Sequence, residues 1–157
     1  MGQLKRIPEA RAQIQGGSKY PNISGKVEFY EVFGGTVVVA EIVGLTPEST
    51  GEKSGFYGFH IHQGSVCTGD DLEEFSNTAG HYQVQGEIHP QHEGDLPPLL
   101  SDEGMAWMSV YTTRFFPEDV VGKTVVIHDM ADDFRTQPSG DSGEKIACGQ
   151  INCCNKT

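Results

Sequence analysis

Six histidines occur in the 157-residue chain, and all of them fall between His60 and His128. Two stand one residue apart in Phe59-His60-Ile61-His62, inside the stretch "GFYGFHIHQGSVC". Residues two apart in a β-strand point to the same face. A strand here would aim both imidazoles to one side, with Phe59 and Ile61 toward a core. That geometry suits two adjacent ligands on one metal; taken alone, it equally describes two surface histidines on an exposed strand. The segment "NTAGHYQVQGEIHPQHEGDLPPL" then places His81, His89, His92 and Asp95 within fifteen residues. Three nitrogen donors and a carboxylate, with turns at Gly86, Pro90 and Gly94, form a set that tetrahedral zinc accepts. A solvated, histidine-rich loop is the other reading. His128 closes the run "TVVIH", where a satisfied edge histidine is the ordinary outcome. Jointly, however, six of six histidines fit two metal sites. Imidazole-rich sets suit zinc, copper, iron or nickel, and a four-nitrogen site built from strands favours copper.

The elements that must position these groups are short strands. "SGKVEFYEV" alternates clearly, and "GTVVVAEIVGL" follows it across Gly34-Gly35, a hairpin signal. "FYGFHIHQ", "GMAWMSVYTTRF", "TVVIHDM" and "KIACGQI" read as further strands, and "ARAQIQGG" alternates weakly. No 3.6-residue period competes, so the pattern predicts an all-β sandwich or barrel. Between Gly64 and about Leu100 the chain shows no periodicity. Loops longer than about 15 residues are uncommon in compact domains unless they carry function or are disordered. Metal binding would supply the free energy to order this one.

The length predicts one domain spanning residues 1–157, with about ten residues at the start and five at the end ragged. A formal charge of −11 argues against a nucleic-acid partner. It also requires a locally positive approach for any anionic substrate. No membrane partner is expected, since no run of about 18 apolar residues occurs. The opening "MGQLKRIPEARAQIQGG" lacks the apolar stretch of an export signal, so a cytoplasmic location is the default, and an extracytoplasmic one follows if a leader has been removed. Four cysteines are present. Cys153 and Cys154 are adjacent, a spacing that resists mutual pairing. Cys67 with Cys148 is a candidate long-range bridge, which would contribute about 3–5 kcal/mol in the chain-entropy model.

Taken in order, "GFHIHQGSVC", "NTAGHY", "HEGDLPPL", "VGKTVVIHDMADD" and "SGDSGEKIACGQI" resemble the copper-zinc superoxide dismutase family from about Gly25 to Ile151. The resemblance implies an eight-stranded Greek-key β-barrel, flattened into an immunoglobulin-like sandwich, with a long metal-binding loop and a short electrostatic loop. Carried over by position, His60, His62, His81 and His128 are the implied copper ligands. His81 is the implied bridge to zinc, completed by His89, His92 and Asp95. Asp132 matches the carboxylate that hydrogen-bonds one ligand of each metal and so fixes ring orientation; Asp133 reads as a solvated turn residue. Cys67 and Cys148 match the family's disulfide. The implied activity disproportionates two superoxide anions to dioxygen and hydrogen peroxide, with one copper cycling between Cu2+ and Cu+, one zinc per subunit, and His81 delivering a proton. A non-catalytic copper- and zinc-binding protein of the same fold, buffering or delivering metal, is the alternative. A zinc-stabilised interaction module is a weaker third reading.

One departure concerns the active-site cation. Three residues before the last-strand cysteine the family usually has arginine, and this chain has Lys145. A lysine keeps the charge but not the planar fork of donors. Asp141 and Glu144 beside it predict a weak positive funnel, with Lys123 and Arg135 as further candidates for steering charge. Only two residues separate His89 from His92, a tight spacing for two ligands of one ion. Tyr111, Phe115 and Phe116 read as core or as the surface of a homodimer, and Met105 and Trp107 as packing residues.

Overall fold

The computed structural model describes residues 7–154, and the expected ragged termini lie mostly outside them. Nine strands form one antiparallel sheet: β1 Ala10–Gly16, β2 Ser24–Val32, β3 Gly35–Leu45, β4 Phe56–Tyr57, β5 Phe59–His62, β6 Leu99–Asp102, β7 Gly104–Thr112, β8 Thr124–His128 and β9 Lys145–Cys153. Their order is β4-β6-β7-β3-β2-β1-β9-β8-β5. The two ends of that order, β4 and β5, are the two halves of the run "FYGFHIH", parted by Gly58 alone. One bent strand therefore pairs with β6 at its start and with β8 at its end, and nearly closes the sheet into a barrel. Counted as one, β4 and β5 give the eight strands expected. A side chain at Gly58 would lie 2.8 Å from Ser142 and 3.2 Å from His128 Cβ. Glycine is what lets the strand turn that close to β8.

Alternation follows the pleat. In β1, Ala10, Ala12 and Ile14 are buried and the residues between them are exposed. Phe29, Val38, Tyr57, Phe59, Ile61 and Ile127 are among the fully buried side chains of the interior. The β2–β3 hairpin turns at Phe33 and Gly34, both at positive φ, with Val32 opposite Gly35. The turn thus sits one residue earlier than the Gly34-Gly35 pair suggested. Phe115 is buried, its ring 6.4 Å from that of Phe29. Trp107 and Met105 do not pack inside: they are 63% and 62% exposed on β7, facing away from the core beside Val43. Their parity on the strand, opposite to that of buried Ala106, decides this against the expectation from residue type. Among the described residues no helix is long and apolar enough to cross a membrane.

The unpatterned stretch after Gly64 is ordered by lying along the free edge of β5. Ile61 donates to Gly94 O (2.9 Å) and accepts from Tyr82 N (2.8 Å), while Gln63 donates to Gly80 O (2.9 Å). Isolated bridges join His60 to Asp95 and His62 to His81. An edge strand presents unpaired backbone groups; here the long loop satisfies them and at the same time brings its histidines beside those of β5.

Candidate metal centre

Strand β5 presents His60 and His62 on one face, and β8 ends in His128 beside them. All six histidines are buried, His60 completely and the others by at least nine-tenths. Burial disfavours the charged form of an imidazole. His60 and His62 are held well below the ordinary histidine value, chiefly by burial and then by neighbouring imidazoles, and burial brings His128 down to about 3. Neutral rings with free lone pairs are what a metal requires.

The hydrogen bonds say which lone pairs are free. His60 Nε2 donates to Asp132 Oδ2 (2.7 Å) and His89 Nε2 to Asp132 Oδ1 (2.8 Å). His62 Nδ1 donates to Ala79 O (2.8 Å), and His128 Nδ1 to Gly143 O (3.4 Å). Carboxylates and carbonyls accept, so these contacts set the tautomers and leave the opposite nitrogens as lone pairs. Those opposite nitrogens converge. His62 Nε2 and His128 Nε2 lie 3.2 Å apart. His60 Nδ1, His81 Nε2, His89 Nδ1 and His92 Nδ1 are buried with no hydrogen-bond partner. Orphaned buried polar atoms are costly and need an explanation, and a cation between them supplies it.

Two donor sets result: His60, His62, His81 and His128; and His81, His89, His92 and Asp95, each with ligand atoms within 4.8 Å of one another. His81 belongs to both, with Nδ1 2.7 Å from Asp95 Oδ1 and Nε2 turned the other way. His89 Nδ1 and His92 Nδ1 both lie near Asp95 Oδ2, at 3.1 and 3.0 Å, so the short His89–His92 spacing brings both to one point. Burial pushes the Asp95 carboxyl up, but the His81 hydrogen bond and the surrounding imidazoles outweigh it and hold the group below its usual range. Asp133 is exposed, as a turn residue should be. Cys67 and Cys148 form the disulfide across 81 residues.

Several supporting residues gave no signal in the sequence. Arg114 Nη1 donates to the carbonyls of Pro90, His92 and Asp95 at 3.1, 3.0 and 3.4 Å, clamping the loop of the second set. Gln137 brackets the backbone of His89, accepting from its N at 2.9 Å and donating to its O at 2.7 Å. Gly140, at positive φ, lies where a side chain would fall onto Asp132 Oδ1 and within 2.6 Å of His89 Nε2. Only glycine leaves that hydrogen bond room. Each acts on a loop histidine more than 20 residues away, Arg114 on His92 and Gln137 and Gly140 on His89, which local pattern does not reveal.

Lys145 sits opposite His128 on β9. Its ammonium donates to Ala79 O at 3.3 Å, the same carbonyl that receives His62 Nδ1, and pairs with Glu73 Oε1 at 2.8 Å. Lys123 instead lies over the Tyr82 ring, 4.4 Å from its centroid, and Arg135 is exposed.

A nearly closed antiparallel β-barrel whose metal loop and strands build two donor sets around one shared imidazole defines a dinuclear metalloprotein, with nitrogen donors dominating one side and a carboxylate completing the other. The family model "Copper/zinc superoxide dismutase (SODC)" matches residues 23–151, and the chain belongs to that family. A Cu-Zn superoxide dismutase from Deinococcus radiodurans is 32% identical over 140 residues, covering 77% of this chain and 72% of the relative. One from Aquifex aeolicus is 29% identical over 146 residues, covering 82% and 79%. The fold matches the Cu/Zn superoxide dismutase from Brucella abortus with a TM-score of 0.75 at 23% identity, over 90% of this chain and 99% of that one.

Proposed function

We propose that His60, His62, His81 and His128 hold copper and that His81, His89, His92 and Asp95 hold zinc. The activity is dismutation of superoxide to dioxygen and hydrogen peroxide, and copper and zinc are its cofactors. The observation that carries the ligand assignment is the shared ring. His81 turns Nε2 toward one set of free lone pairs and Nδ1 toward the other, and no donor of either set is missing. A protein that only buffers copper needs neither a second metal nor a common imidazole, so the alternative is not favoured.

Copper, when bound, supplies the one-electron redox chemistry that oxidises one superoxide and reduces the next. The chain's own residues do the rest. Asp132 holds His60 and His89 in one tautomer through both carboxylate oxygens, so the two halves of the site are oriented by one group. His81 Nε2 is buried and faces the first set, where it can hold a proton and pass it to the peroxide being formed. Lys145 places a positive charge beside His62, where it draws a small anion inward against the negative field of a chain whose net charge is −11. Metal analysis of the loaded protein, a visible Cu2+ absorption band and a superoxide consumption assay test the proposal together. A full complement of both metals with no superoxide turnover would sink it.

The disulfide supports work in an oxidising compartment. The exposed strip of Val43, Met105 and Trp107 is the surface that supports a homodimer. Fractionation for the first and sedimentation for the second decide each.

A further inference from the structure

Lys145 is the cation nearest the copper-side ligands, yet it does not face an incoming anion alone. Its Nζ lies 2.8 Å from Glu73 Oε1, closer than either carbonyl it touches: Ala79 O at 3.3 Å and Phe75 O at 3.5 Å. The backbone that carries each partner is held in place. Glu73 closes a turn in which Asp70 Oδ1 accepts from Leu72 N and Glu73 N, each at 2.9 Å, and Glu73 O accepts from Asp70 N and Ser76 N. Lys145 lies three residues before Cys148, and the disulfide ties that strand to Cys67, at the root of the same loop. The lysine side chain is only 13% exposed while that of Glu73 is 50% exposed, so the carboxylate forms the outer member of the pair. The cleft that Lys145 lines also takes in Asp70, Asp71, Glu74 and Glu144.

We infer that Glu73 is a rate- and affinity-setting residue for this enzyme: a fixed carboxylate latch that neutralises Lys145 and holds its ammonium back from the anion site. The inference rests on the reading of Lys145 as the anion-drawing group. The physics is Coulombic. A lone ammonium about 5 Å from a small anion in a water-filled channel attracts it several-fold, whereas an ion pair offers only a dipole whose field falls off faster. The flexible four-carbon stem of lysine makes the position of the charge depend on whichever acceptor wins it, and Glu73 is the nearest one. Once the carboxylate is removed, Ala79 O and Phe75 O remain as acceptors, and the ammonium settles toward the copper-side carbonyl. Glu73 touches no reacting atom. It acts through Lys145 and is a positioning residue.

The test compares the copper- and zinc-loaded protein with Glu73→Gln, Asp71→Asn, Lys145→Met and the double variant Glu73→Gln/Lys145→Met, all at verified metal content. Asp71 lines the same cleft but does not contact Lys145, so its variant reports the effect of one less negative charge without the latch. Three quantities are read: the second-order rate with superoxide across ionic strength, the dissociation constant of azide from its spectral shift on the Cu2+ protein, and, in metal-free protein, the motional averaging of the Lys145 side-chain NMR signals. Glu73→Gln is expected to raise the low-salt rate and tighten azide by about 2–4-fold, to steepen the fall of rate with salt, and to increase Lys145 side-chain motion. Asp71→Asn should move each by less than half as much, and Glu73→Gln should do nothing in the Lys145→Met background. A rate and azide affinity unchanged or reduced in Glu73→Gln overturn the latch; so does an equal response to Asp71→Asn, or a response that persists without Lys145. If Lys145→Met alone leaves rate and azide binding untouched, it is the role of Lys145 that fails. If Lys145→Met weakens both while Glu73→Gln is silent, only the latch is lost.

Discussion

The two halves of the metal centre share His81 but rest on different kinds of structure. In the first donor set, proposed for copper, His60, His62 and His128 stand on β5 and β8, neighbouring strands in register with His60 opposite Val126 and His62 opposite Thr124. Sheet hydrogen bonds and a buried apolar face beneath them set their geometry. In the second, proposed for zinc, His89, His92 and Asp95 sit in a segment with no strand of its own, held by a few directed contacts from Arg114, Gln137 and Asp132. The difference teaches where the site should be robust and where it should be fragile. Strand donors persist as long as the barrel does, whereas the loop donors depend on single side chains and on the metal itself.

The strongest blow to that distinction is at the residue both halves own. His81→Ala should empty both sites and cut the superoxide rate by more than the roughly 100-fold at the top of the range for losing an outer-shell partner. Rate and metal stoichiometry measured together check it, and a variant that keeps both metals would show the ring is not shared. Removing the bridge comes next. Cys148→Ser should lower the melting temperature by roughly 10 °C, since a loop of this length contributes about 3–5 kcal/mol and each kcal/mol is worth about 2–4 °C at this chain length. Scanning calorimetry reads it, and because the bridge anchors the start of the metal loop, the metal-free protein should suffer more than the loaded one.

Arg114→Gln sharpens the comparison directly. It should weaken zinc about 10-fold, as loss of a supporting contact does, while the copper-side donors keep their arrangement. Competition with a zinc chelator measures the first part, and the Cu2+ absorption spectrum the second. Equal losses on both sides would erase the distinction.

Acid probes the strand side. His60, His62 and His128 are held below the ordinary histidine value in the folded protein, so the unfolded chain binds more protons between the two values. Their contribution to stability is complete above about pH 6.5, the unfolded value, and is lost as pH falls toward the value of about 3 for His128. Asp95, also depressed, acts in the same direction at lower pH. The melting temperature of the metal-free protein should therefore fall steadily from pH 7 to pH 4, and a flat profile would contradict the burial argument. The smallest effect belongs to the far face: Trp107→Ser should change monomer stability by no more than about 0.5 kcal/mol, because the ring is mostly in water. Urea titration checks it.

Much of this molecule is written in short-range pattern. The pleat period alone places His60 and His62 side by side, the alternation of β2 and β3 marks a hairpin, and the cluster of His81, His89, His92 and Asp95 names a donor set before any coordinate is known. These are properties of short stretches of consecutive residues, and local geometry carries them. What local geometry does not carry is which distant groups meet. The strand run "FYGFHIH" looks continuous, yet it breaks at Gly58, where a side chain would crowd Ser142 and the Cβ of His128, and its two halves pair with β6 and β8. Trp107 looks like a packing residue by type and is exposed by parity. Arg114, Gln137, Gly140 and Glu73 have no local signature, since they act on His92, His89, His89 and Lys145, 22 to 72 residues away. The chain by itself determined the donors, their chemistry and the strands that bear them. The tertiary structure decided which lone pairs face inward and which carboxylate answers Lys145, because hydrogen-bond direction and charge pairing are set by neighbours in space.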